Sequence, residues 1–198
     1  MSIRRKKGTL EVITGCMSSG KSERLIWTLK REKIARKEVV VFKPGVDTRS
    51  LGSEISSRDG KSLEAVTVNA PGEIVSHIRD DHHVVGIDEV QFFDADEDTR
   101  IALLEVIDAL VEQGKRVVVS GLNQDFGGEP FLLVALLLAK ADTINHVKAV
   151  CVRCGSLEAT MSQRLINGEP ASWDAPRIAV GGEDLYEARC RDCHVVQR

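Results

Sequence analysis

The stretch GCMSSGKS, residues 15–22, limits what this chain can fold into more than any other part of it. It reads G-x-x-x-x-G-K-[ST], a pattern in which glycines let backbone N–H groups converge on phosphate oxygens at a helix start, where the helix dipole also favours an anion. Such a loop needs a strand before it and a helix after it. Both are present in the sequence. Leu10–Thr14 is a short β-rich run, and residues 22–37 carry Leu25, Ile26, Leu29 and Ile34 at helical spacing. Within the loop, Gly15, Ser18, Ser19 and Gly20 shape the cradle. Lys21 would reach the β- and γ-phosphates of ATP, and Ser22 would hold Mg²⁺.

The rest of the chain continues the alternation. Val39–Phe42 has the look of a buried strand, and residues 43–62 read as a long Gly/Ser-rich loop. A hairpin is expected over 64–68 and a short helix over 72–79. Another strand is expected over 83–88, and a helix over 99–113 with Ile101, Leu104, Ile107, Leu110 and Val111 on one stripe. Strands over 117–120 and 146–150 flank a buried helix at 131–140. Strands alternating with helices imply right-handed crossovers and a mostly parallel sheet covered on both faces, a RecA-like P-loop NTPase α/β domain over residues 1–148. The pattern breaks near Cys151, so residues 149–198 are expected to form a second, smaller unit.

The chemistry has a second half in VVGIDEVQFF, residues 84–93. An apolar strand ending in Asp88 presents a carboxylate at the sheet edge where a metal-bound nucleotide would lie. Glu89 is then placed to take a proton from whatever attacks the γ-phosphate. The acidic cluster Asp94, Asp96, Glu97 and Asp98 reads as a solvated helix N-terminus. Cys16, inside the loop, reads as a small residue with no chemical task.

Four of the five cysteines form two C-x-x-C pairs, Cys151/Cys154 and Cys190/Cys193. No export signal is evident, so the pairs argue for metal rather than disulfides, and two knuckles complete a tetrahedral thiolate site for structural Zn²⁺. Redox motifs would want a helix-start setting that these pairs lack. At 198 residues, 42% hydrophobic and 29% charged, the chain has the make-up of a soluble protein with one sizeable core and a small appendage. Its net charge of −3 provides no basic field for a phosphate backbone, so nucleic acid is not expected as the main partner. The longest apolar run, Phe131–Ala139, is too short for a bilayer span, and the expected location is cytoplasmic, without a membrane partner.

Taken in order, GCMSSGKS (15–22), FKPGVDTR (42–49), SSRDG (56–60), GIDEVQFF (86–93), GLNQDFGGEPF (121–131), AVCVRCG (149–155), EATMSQRL (158–165) and VGGEDLYEARCRDC (180–193) closely resemble the type II thymidine kinases, the zinc-containing tetrameric class. The resemblance implies transfer of the γ-phosphoryl group of ATP to the 5′-hydroxyl of thymidine, in deoxynucleotide salvage, with Glu89 as general base. It implies that Lys21, Ser22, Asp88 and Gln91 manage phosphates and Mg²⁺, and makes Arg49 and Arg58 candidates for phosphate or loop-ordering contacts. It places Met17, Phe93, Phe126, Phe131 and Ser162 around the base, with Phe92 left to the core. A lasso over about 164–182, including Val180, Gly181 and Gly182, would close on the nucleoside, which Tyr186 would also contact. A homotetramer and feedback inhibition by dTTP are implied as well. Met161 stands where an aromatic residue is common in the family and Ser162 where threonine is common, so some tolerance for deoxyuridine is expected.

Two other readings use the same residues. A RecA-like ATPase would have Glu89 polarise water, and a zinc-stabilised binding module would use the loop only as a nucleotide switch. The acidic net charge weakens nucleic-acid versions of the first, and the ordered motif set favours the kinase.

Overall fold

The computed structural model describes residues 6–46, 53–57, 60–179 and 185–197. Arg49, Arg58, Val180, Gly181 and Gly182 lie outside them. In chain order the elements are β1 (Thr9–Thr14), α1 (Lys21–Ile34), β2 (Glu38–Pro44), β3 (Glu54–Ser56), β4 (Ser62–Glu64), β5 (Val66–Val68), α2 (Pro71–His77) and β6 (His82–Ile87). A 3₁₀ turn over Val90–Phe93 follows, then α3 (Glu97–Glu112), β7 (Arg116–Gly121), α4 (Leu132–Lys140), β8 (Thr143–His146), β9 (Met161–Ile166), β10 (Glu169–Pro170) and β11 (Tyr186–Arg189).

Six strands form one sheet in the order β5-β2-β6-β7-β1-β8, and every neighbouring pair is parallel. The strand feeding the phosphate loop is thus separated from the Asp88 strand by β7, the RecA-like arrangement of a P-loop NTPase. Successive side chains on a strand face opposite ways. Leu10, Val12, Phe42, Val85, Ile87, Val117 and Val119 therefore pack with Ile74 of α2, Leu103, Ile107 and Leu110 of α3, and Leu133, Val134 and Leu137 of α4. On the other face Ile13, Val41, Val84 and Val118 meet Leu25, Ile26 and Leu29 of α1 and Ile55 and Leu63 of β3 and β4. Burial on both faces is why these strands read as continuous apolar runs.

Several expectations shift. The hairpin is not at 64–68: Val66–Val68 is a parallel edge strand on β2, and the hairpin is β3–β4, partly inside the segment expected to be a loop. The first helix stops at Ile34, which is 81% exposed, because Arg36 turns the backbone left-handed at φ 60°. On α3, Leu103 belongs to the buried stripe and Ile101 is exposed. The last strand of the sheet is Thr143–His146, not 146–150, since its register on β1 ends at the Thr14–His146 pair. Asp96 caps α3 by accepting from Thr99 N at 2.8 Å, as an acidic helix start should.

Residues 149–197 build on a three-stranded sheet, β10-β9-β11, antiparallel throughout. Both C-x-x-C pairs flank it. No helix among the described residues is long and apolar enough to cross a membrane.

Candidate active site

The phosphate loop leaves β1 through Gly15 and enters α1 through Gly20, whose left-handed φ of 81° places it ahead of the first helical turn. The backbone doubles back on itself: Ser19 Oγ donates to Cys16 O at 2.8 Å and Lys21 Nζ to the same carbonyl at 2.7 Å. Lys21 is buried at the mouth of the loop, so its ammonium is held where phosphate oxygens would arrive. Cys16 is fully buried, and its Sγ points to Ala159 O at 3.4 Å. Burial pushes its thiol pKa up, against the opposing pull of Lys21.

Asp88 follows β6 directly and is anchored from three sides. Ser120 at the end of β7 donates to its Oδ1, Glu89 N donates to the same oxygen at 3.0 Å, and Ser22 also bonds its side chain. Burial, and then the neighbouring Glu89 charge, raise its pKa to about 6, while the Ser120 and Ser22 bonds oppose the shift. Hydroxyl and carboxylate are thus already side by side, the donor set by which a Mg²⁺ ion is held beside nucleotide phosphates. Ser120 carries no motif signal, because only the β6–β7 register brings it to Asp88.

Glu89 takes a left-handed backbone, φ 52° and ψ 43°, uncommon for a residue with a side chain. That turn directs the chain into the 3₁₀ segment, from which Gln91 Nε2 donates back to Glu89 Oε2. Gln91 Oε1 accepts Leu122 N at 3.1 Å, so the amide is fixed at both ends. Gln91, expected among the nucleotide contacts, buttresses the carboxylate and lines the neighbouring cavity.

Beside this pair lies a cavity of about 40 Å³, lined by Met17, Gln91, Phe92, Phe126, Phe131 and Ser162 among others, with Arg177, Ile178, Ala179 and Tyr186 closing one side. That is room for a few waters. Met17, Phe126, Phe131, Ser162 and Tyr186 therefore gather as the sequence reading expects. The two phenylalanines of the 3₁₀ turn exchange places: Phe92 lines the cavity, and Phe93 packs in the main core with the α3 residues. Met17 N donates to Ser162 Oγ at 3.0 Å, so phosphate loop and cavity share a wall. Leu122, Gln124, Asp125 and Arg177 also line the cavity, and the sequence reading did not single them out. Gln124 Nε2 reaches both Thr160 O and Met161 Sδ at 2.9 Å.

Cys151, Cys154, Cys190 and Cys193 bring their sulfurs within 4.8 Å of one another, with Cys154 and Cys190 3.7 Å apart. A tetrahedron of thiolates on zinc has edges of about 3.8 Å, so the cluster suits that ion. His194 is not part of it; its Nε2 lies 2.8 Å from Phe126 O, tying the cluster to the cavity wall.

A phosphate loop on a RecA-like sheet, an Asp–Glu pair at the end of the next strand but one, and a four-cysteine cluster suited to zinc define a P-loop NTPase fold with a lined cavity beside the loop. The profile of the family described as "Thymidine kinase" matches residues 8–194, and the chain belongs to that family. Among solved structures it is similar to AMPPCP-bound DnaA from Aquifex aeolicus, at 14% identity and a TM-score of 0.43, over 72% of this chain and 41% of that one. It is also similar to the replication initiator DnaA bound to AMPPCP and single-stranded DNA, at 14% identity and a TM-score of 0.43, over 71% of this chain and 40% of that one. The chain thus spans about two fifths of the solved chains it matches.

Proposed function

We propose that this protein is a thymidine kinase that moves the γ-phosphoryl group of ATP to the 5′-hydroxyl of thymidine, yielding dTMP and ADP for deoxynucleotide salvage. Family membership supports the substrate pair. The observation that carries the reading is the shared wall: Met17 belongs to the phosphate loop, lines the cavity, and is bonded through its amide to Ser162 of β9. A donor phosphate in the loop and a guest in the cavity are thereby neighbours, which suits transfer to a bound alcohol better than to bulk water.

In this reading Glu89, held by Gln91, accepts the 5′-hydroxyl proton as the oxygen forms its bond to Pγ and the bond from Pγ to the β,γ-bridging oxygen breaks. Lys21 and the loop amides carry the charge that shifts onto the leaving ADP. Mg²⁺, which Ser22 and Asp88 would hold, neutralises phosphate charge when bound. The four cysteines would hold a structural Zn²⁺, with no open position for substrate. Residues 149–198 act as the acceptor-side domain, and residues 177–179 line the nucleoside's side of the cavity. Ser162 at the cavity, with Met161 next to it in sequence, supports acceptance of deoxyuridine beside thymidine. A homotetramer, inhibition by dTTP and a cytoplasmic location belong to the same reading, supported by the family.

The test is to incubate the protein with γ-labelled ATP and a panel of nucleosides. Label should pass to nucleoside monophosphate, thymidine first. Label found only in free phosphate would sink the kinase and favour the ATPase reading. Glu89→Gln should keep ATP affinity and lose about 10²–10⁴-fold in turnover.

A further inference from the structure

The segment between the cysteine pairs meets the loop joining β7 to α4 through a cluster centred on Arg177. Its Nε donates to Asp125 Oδ2 at 2.9 Å and its Nη2 to Pro130 O. Its guanidinium lies over the Phe131 ring, Cζ 4.4 Å from the centroid. Its Nη1 is 4.0 Å from Asp94 Oδ2, a buried oxygen without a hydrogen-bond partner, while Arg100 takes the other oxygen at 3.0 Å. Asp125 is a fixed anchor, since its Oδ1 accepts Gly127 N at 2.9 Å and Glu129 N at 3.0 Å. From the opposite side Arg164 donates to Pro176 O at 2.5 Å, with its Cζ 5.4 Å from the centroid of Phe126. Pro176 and Arg177 are therefore gripped from both flanks, and Phe126 and Phe131 of the acceptor cavity each carry an arginine on one face.

Arg177 also stands between two spaces. Together with Asp125 and Phe126 it lines both the acceptor cavity and a neighbouring hollow of about 400 Å³ bordered by Trp173. Arg164 and Tyr186 hold the neighbouring carbonyls of Pro176 and Ala179, but Arg177 is the residue of this wall bonded to Asp125 and stacked on Phe131. The geometry points to Arg177 as a positioning residue for the acceptor: through Asp125 and Phe131 it pins residues 171–179 to the loop between β7 and α4 and sets the acceptor cavity's wall. A guanidinium is required, because one planar group must pair a carboxylate, reach a carbonyl and lie over a ring at once; an ammonium cannot. The pin itself is independent of the reaction, and only its kinetic consequence rests on the thymidine kinase reading.

The experiment has two arms on the full chain with its metal in place, comparing Arg177→Gln, Arg177→Lys and Asp125→Asn with the parent. The first arm measures backbone hydrogen exchange over 171–179 without nucleotide or nucleoside. The two arginine variants should exchange about tenfold faster there, because a charge-assisted anchor is lost, while β1, β6 and β7 keep their protection. Asp125→Asn should show the same local change, and protection kept elsewhere separates it from misfolding. Exchange that stays at the parent rate in all three would overturn the pin. The second arm measures KM for thymidine against kcat at saturating ATP. KM should rise about tenfold in Arg177→Gln with kcat within about threefold, and Arg177→Lys should recover little of it. A loss confined to kcat would overturn the positioning role. A parent protein that phosphorylates no nucleoside counts against the kinase reading alone, since the exchange arm still decides the pin.

Discussion

At the scale of single residues, the site keeps two carboxylates adjacent where only low dielectric surrounds them. Asp88 is 4% and Glu89 6% exposed, and their mutual repulsion adds to the burial that lifts Asp88 to about 6. A carboxyl whose folded pKa lies above its unfolded 3.8 favours the fold most when protonated. Its contribution is therefore complete below about pH 3.8 and lost as pH rises through about 6. At neutral pH this protein thus carries a charge that its own fold disfavours, held in place by Ser120 and Ser22 for a cation to answer. Asp88→Asn should raise the melting temperature of the nucleotide-free protein at pH 7.5 by a few degrees, with the gap closing toward pH 4. It should also abolish Mg²⁺-dependent nucleotide binding. Calorimetric melts across that range check it, and a variant no more stable than the parent at pH 7.5 would show that the charge is not a burden.

At the scale of elements, the phosphate loop is where backbone sterics matter most, and its two outer glycines differ in kind. A Cβ on Gly15 would sit 2.2 Å from Val147 O, backbone against backbone, whereas a Cβ on Gly20 meets nothing nearer than Glu23 Oε2 at 3.9 Å. Gly20→Ala should therefore cost only the left-handed strain, about 1 kcal/mol. Gly15→Ala must push β1 and the residue after β8 apart, and should cost well over twice as much in urea denaturation; equal costs would mean the loop has room that the structure denies. This loop was legible in the sequence because its chemistry is local: the spacing of glycines, lysine and serine states the turn directly. The same holds for the two C-x-x-C knuckles and for Asp88 at a strand end. Legibility fails where pairing is decided at a distance. Val66–Val68 looks like half of a hairpin, yet the vacant edge of β2 takes it in parallel, and Ile55 and Leu63 close the hairpin earlier by covering the α1 side of the core. Phe92 and Phe93 are identical in type, and only the phase of the 3₁₀ turn decides which meets the cavity. Ser120, Asp125 and Arg177 become site residues solely through sheet register and the return of the chain from the cysteine module.

At the scale of the whole molecule, the question is what lets the short segment from residue 149 onward bear on the phosphate loop and the cavity beside it. Its own apolar cluster is slight: Ala149, Cys151, Ala159, Ala188 and Cys190, with Cys16 lent by the phosphate loop. Alanines and cysteines bury too little surface to order three short strands unaided, so the four-thiolate cluster must supply the rest. What it orders is not remote. Through β9 and the two residues before it the segment offers Ala159 O to Cys16, Thr160 O to Gln124 and Ser162 Oγ to Met17 N, and through His194 it reaches Phe126 O. These contacts run from the cysteine side into the phosphate loop and the cavity wall, whereas Asp88 is held by Ser120, Ser22 and Glu89 N. Stripping the metal should therefore act unevenly. Protein purified without added metal should carry about one zinc per chain, as a four-thiolate site binds one ion. After chelation, nucleoside affinity should fall at least about tenfold, because the cavity loses β9 and the 171–179 wall together, whereas ATP affinity should change by less than about threefold. Calorimetric titration of the stripped and zinc-restored protein with each ligand separates the two. Equal losses would mean that the metal holds up the whole fold. Unchanged nucleoside binding would mean that the module stands without it.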